Sequence, residues 1–109
     1  MAYDKGLAQR IRERLEEEPG CDERKMFGGL CFLNFGNMLC GIIGEDLIVR
    51  VGVDQYAEML TLPQTKKFDL TGREMKGWVM VLSEALDADE DLNDWVQRAL
   101  AFVRTLPPK

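Results

Sequence analysis

The sequence predicts a two-layer α+β domain: an antiparallel sheet in the order α-β(4)-α-β(2)-α, with the helices packed on one face. Amphipathic periodicity marks both ends of the chain. Between them lie short apolar runs, joined by turns too short for the crossovers that parallel strands need. The third observation is size: 109 residues, with 46% hydrophobic and 30% charged, suit one compact domain spanning 1–109. No linker or internal repeat divides them.

Tyr3, Leu7, Ile11 and Leu15 recur every four residues, while Lys5, Arg10, Arg12, Glu13 and Glu16 take other faces. This is an amphipathic helix, ended by Pro19-Gly20. Glu23–Phe27 reads as a short strand followed by a bend or bulge at Gly28-Gly29. Leu30–Phe35 and Met38–Ile43 flank Gly36-Asn37, a pair suited to a tight hairpin. Gly44-Glu45-Asp46 turns the chain into Leu47–Val51. A short helix from about Asp54 to Leu60 follows, with Asp54 as its cap and Pro63 beyond its end. Lys66–Leu70 and Lys76–Leu82 are two further strands around Thr71-Gly72-Arg73. In the last helix Leu92, Trp95, Val96, Ala99, Leu100, Val103 and Leu106 form one stripe. Asp87, Asp89, Glu90 and Asp91 crowd its start, where the helix dipole favours negative charge, and Pro107-Pro108 stops it.

With Gly36-Asn37 as the hairpin loop, Phe35 pairs with Met38, Leu33 with Cys40 and Cys31 with Ile42. These six share one apolar side, the expected core face. A Glu45-Asp46 loop then adds Val49 and Val51 to that face. It leaves Arg50 on the other, opposite Gly41 and on the side of Asn34. Arg50 is either a solvated or salt-bridged sheet residue, or a guanidinium with room to meet an anion.

Composition excludes several functions. Histidine is absent, so no Ser-His-Asp triad, Cys-His pair or His-ligated zinc exists. A net charge of −5 argues against direct nucleic-acid binding through bulk attraction to phosphates. No apolar stretch is long enough for a membrane helix, and the N-terminus has no signal-peptide pattern. Cys21, Cys31 and Cys40 form an odd set without CxxC spacing, so free thiols and a cytoplasmic location are expected. Cys31 and Cys40 are expected as diagonal neighbours on the core face, and Cys21 in a loop. Gly28-Gly29 lacks the surroundings of a phosphate loop, and Asp87 to Asp91 lacks calcium-loop spacing. Trp78 and Trp95 read as core or near-core aromatics. No catalytic residue, metal ligand or cofactor is indicated.

Several segments, in this order and spacing, resemble one family. They are Arg24-Lys25-Met26-Phe27-Gly28-Gly29, Asn37-Met38-Leu39-Cys40-Gly41 and Leu47-Ile48-Val49-Arg50-Val51-Gly52. Phe68-Asp69-Leu70-Thr71-Gly72-Arg73, Met75-Lys76-Gly77-Trp78-Val79 and the final Ala101 to Lys109 complete the set. The chain resembles the N-terminal domain of the TfoX/Sxy proteins over nearly its whole length. The resemblance implies a small bacterial α+β domain without established catalytic activity. Named members regulate natural competence together with the cyclic-AMP receptor protein, and they carry a second, C-terminal domain. This sequence, stopping at Lys109, is expected to stand for the first domain alone. The positions matching the family's polar signature are Arg24, Lys25, Arg50, Arg73 and Lys76. The implied function is a non-enzymatic regulatory domain with a protein partner, the transcription machinery being one candidate. The alternative is a small-anion or nucleotide site at Gly28-Gly29, Arg50 and Lys76.

Overall fold

The computed structural model describes residues 3–26, 28–70 and 72–109. Along the chain run α1 (Lys5–Leu15), β1 (Cys21–Met26), β2 (Gly29–Asn34), β3 (Asn37–Ile43) and β4 (Asp46–Arg50). They are followed by α2 (Val53–Met59), β5 (Thr65–Leu70), β6 (Arg73–Val81), a 3₁₀ turn (Ser83–Leu86) and α3 (Asp89–Val103). The strands form one antiparallel sheet in the order β1-β2-β3-β4-β6-β5. This is the α+β order that the sequence predicts.

One face of the sheet holds the main core. Leu30, Phe32, Cys40, Ile42, Leu47, Val49, Val79 and Val81 from the strands meet Leu7, Ile11 and Leu15 of α1 there. Met59 of α2 and Leu92, Trp95, Val96, Ala99, Leu100 and Val103 of α3 close the same cluster. All three helices therefore contribute to the apolar layer on one side of the sheet. The opposite face carries a smaller cluster of Ile48, Phe68 and Trp78, bordered by Met38, Ile43, Met75 and Met80.

Helix limits differ from expectation for local reasons. Tyr3 lies outside α1 in a bridge to Gly44, and Asp4 caps the helix by accepting from the Leu7 amide at 3.1 Å. At α2 the N-cap is Gly52, without a side-chain bond, and Asp54 falls in the first turn rather than at the cap. Leu106 lies past the end of α3 yet still packs against the core.

The larger correction concerns the β2–β3 register. The hairpin loop is Phe35-Gly36, one residue earlier than expected, with φ values of 49° and 84°. Two consecutive positive φ angles are those of a type I′ turn, whose twist suits a hairpin. Asn37 is therefore a strand residue paired with Asn34. Both asparagines are buried, and each ties the hairpin to another segment. Asn34 donates to the Pro19 carbonyl at 3.0 Å and Asn37 to the Pro107 carbonyl at 2.9 Å.

A bulge at Leu39 follows, because Leu33 pairs with Met38 while Phe32 pairs with Cys40. Of the expected core-face set, Cys40, Ile42, Val49 and Val51 belong to the main core. Cys31 and Leu33 alternate with Leu30 and Phe32 and so lie on the opposite face, Met38 borders the smaller cluster, and Phe35 is half exposed in the turn. Cys31 and Cys40 are thus on opposite faces instead of being diagonal neighbours. Cys21 belongs to β1 and not to a loop.

Candidate functional site

The β3–β4 loop is Gly44-Glu45, with Ile43 paired to Asp46 and Cys40 to Val49. Against the expected pairing this slip is even, so it keeps Arg50 on the face opposite Val49. Its neighbours are not the expected ones. Gly41 pairs with Ile48, and the space beside Gly41 is taken by the Cys31 thiol and the Ile48 side chain. Asn34, paired with Cys21 and aligned with Phe32, lies on the helix side.

Arg50 ends β4 directly opposite Trp78 of β6. Its guanidinium carbon stands 5.6 Å from the Trp78 ring centre and 5.5 Å from that of Phe102 on α3. The Phe102 ring itself lies close over the Gly52 backbone, where a Cβ would come within 2.6 Å. One nitrogen, Nη1, donates to the Met38 carbonyl at 3.3 Å. Arg50 makes no ion pair among the described residues. Burial lowers its pKa, but a guanidinium keeps its charge throughout the physiological range. The result is a half-buried cation set over two aromatic rings, with one hydrogen bond, to a backbone carbonyl, among the described residues.

Lys76 is exposed and lies close by along the backbone. The amides of Val51 and Gly52 both donate to the carbonyl of the next residue, Gly77, at 2.8 and 3.1 Å. β6 is irregular there, since its pairing with β5 shifts between Lys67 and Asp69. Arg50 and Lys76 therefore belong to one end of the sheet, bordered by Met38, Met75 and Trp78.

The other expected site residues do not join them. Arg24 and Lys25 lie on β1, three strands from β4, or roughly 14 Å at the usual strand spacing. They also point to opposite faces, because Arg24 pairs with Cys31 and Lys25 with the core residue Leu30. Arg73 opens β6, and its side chain lies outside the described residues. Gly29 abuts the Ile42 carbonyl, whereas Arg50 holds the Met38 carbonyl four residues along β3. That separation is roughly 13 Å, more than a Debye length, so the Gly28-Gly29 bend and Arg50 do not form one anion pocket.

The thiols give no nucleophile in this region. Cys31 and Cys40 are buried and free, and burial raises the pKa of both. Cys21 is half-buried beside the Asn34 amide, 3.5 Å from Sγ. No helix among the described residues is long and apolar enough to cross a membrane.

Sequence reasoning singled out Arg50 as a candidate but missed the two aromatic rings beside it. Phe102 shares the α3 core stripe's neighbourhood, and nothing local shows that it reaches the end of β4. Among known protein families, the model of the TfoX N-terminal domain matches residues 13–103. The chain matches no curated protein and no solved structure.

Proposed function

We propose that this chain, which belongs to the TfoX N-terminal domain family, is a non-enzymatic regulatory domain that binds a protein partner through the Arg50 end of its sheet. The observation that carries this reading is the arrangement of Arg50. A guanidinium set over the rings of Trp78 and Phe102, with a backbone carbonyl as its one hydrogen-bond partner among the described residues, has charge and donors to offer a carboxylate from outside. Lys76 adds a second cation. The bordering methionines, Met38, Met75 and Met80, supply adaptable apolar contacts around Ile48 and Phe68. An acidic segment with apolar neighbours fits this combination. The family membership supports a regulatory setting in the cytoplasm, with the transcription machinery as the first place to look.

The absence of histidine and the buried state of Cys31 and Cys40 support a binding role over catalysis. The net charge of −5 supports a protein partner over direct contact with nucleic acid. The test is quantitative affinity capture from nuclease-treated bacterial lysate, comparing wild type with the Arg50→Ala, Lys76→Ala double variant. A specific protein retained by wild type and lost by the folded double variant is expected. Equal retention by both would move the binding surface elsewhere.

A further inference from the structure

The sheet has two edge strands, and they differ. β5 pairs irregularly with β6, and such a break turns an edge away from further pairing. β1 is regular: six consecutive residues, Cys21 to Met26, pair with Asn34 to Gly29 without a shift. No other segment supplies backbone hydrogen bonds to β1 on its outer side among the described residues. The Glu23 amide donates instead to the adjacent Asp22 carboxylate at 2.9 Å, a local contact of the kind an unpaired edge makes.

The side chains of this edge carry a pattern. Asp22 and Arg24 share the open face with Leu33 and Cys31, while Glu23 and Lys25 share the helix face with Phe32 and Leu30. All four are exposed. On each face the acid precedes the base by two residues. A parallel copy would set acid against acid and base against base. An antiparallel copy can set acid against base on one of the two faces.

We infer that β1 is a self-pairing edge, through which a second copy of this chain adds antiparallel and joins the two sheets into one. The twofold axis falls at Glu23, so that Asp22 of each copy faces Arg24 of the other. The alternative centre at Arg24 opposes two guanidiniums that have no ion pair among the described residues. At the chosen centre the two Glu23 carboxylates meet, but each is already held by Arg12 of its own α1, whose Nη2 donates to Glu23 at 2.9 Å. The occupant is therefore selected by charge order as well as by free backbone groups. This surface lies on the far side of the sheet order from the β4–β6 end and does not depend on the function proposed above.

Sedimentation equilibrium on the whole chain tests it. Wild type is expected to form a dimer that weakens as salt rises. Arg24→Asp places two acids on the open face, and Asp22→Arg places two bases there. Each variant alone is expected to dissociate about ten-fold more readily, since two symmetry-related pairs turn from attractive to repulsive. An equimolar mixture of the two restores complementary pairs and is expected to recover a heterodimer of near wild-type affinity. That recovery also shows that both variants are folded. A wild type that stays monomeric up to about 0.1 mM, a weak affinity by protein-interface standards, overturns the inference. So does a mixture that dissociates like the single variants.

Discussion

Gly29→Ala is expected to lower stability by about 4 kcal/mol or more, while Gly28→Ala one residue earlier lowers it by about 1 kcal/mol. The two glycines look alike in sequence, but different constraints act on them. A Cβ at Gly28 would meet open space, and only the positive φ of 72° opposes a side chain there. At Gly29 the backbone angle is ordinary, but a Cβ would overlap the Ile42 carbonyl oxygen of β3. That oxygen is part of the sheet, not the end of a flexible side chain. Relief requires β2 and β3 to separate at the end of their ladder, where Leu30 and Ile42 of the main core pair. Urea unfolding of the two variants beside wild type checks the contrast. Equal losses would place the constraint in backbone conformation alone.

Leu100→Ala is expected to lower stability by about 2–5 kcal/mol through lost burial and the cavity left behind. Leu100 is fully buried on α3, in a stripe with Trp95, Val96, Ala99 and Val103. This helix packs over β3 and β4, so a void beneath it faces strand residues fixed by pairing on both sides. Strands so fixed collapse little toward a cavity. Arg98→Ala on the same helix removes a cation stacked on Trp95 at 5.7 Å and is expected to change stability by about 1 kcal/mol or less. The same urea titration measures both.

The helices and the strand order were legible in the sequence because they depend on local periodicity. α1 and α3 each place apolar residues at helical spacing over several turns, and the short glycine-containing turns force antiparallel neighbours. The hairpin register was not legible. Gly36-Asn37 and Phe35-Gly36 are both available as two-residue loops, and the choice rests on distant partners. Asn37 is needed in the strand to hold the Pro107 carbonyl, and the Lys109 amide closes on Phe35 at 2.8 Å. The Leu39 bulge is likewise a property of two strands together, so a strict alternation placed Cys31 and Leu33 on the wrong face.

The candidate site was legible only in part, for a related reason. Arg50 stands out as a lone cation in an apolar strand, and its face survived a loop error because the slip was even. Its setting did not show, since Trp78 and Phe102 reach it from β6 and α3. Arg24 and Lys25 joined the candidate residues through the family's polar signature, where they stand side by side. Consecutive strand residues face opposite ways, and here that separates them across the sheet.

The central claim is that Arg50 is placed for a partner and not for the fold. The unfolding free energy of Arg50→Ala beside wild type tests it most directly. Loss of two ring contacts and one hydrogen bond to a carbonyl is expected to lower stability by no more than about 2 kcal/mol. A loss above about 4 kcal/mol would make the guanidinium a structural part of the core and contradict the account.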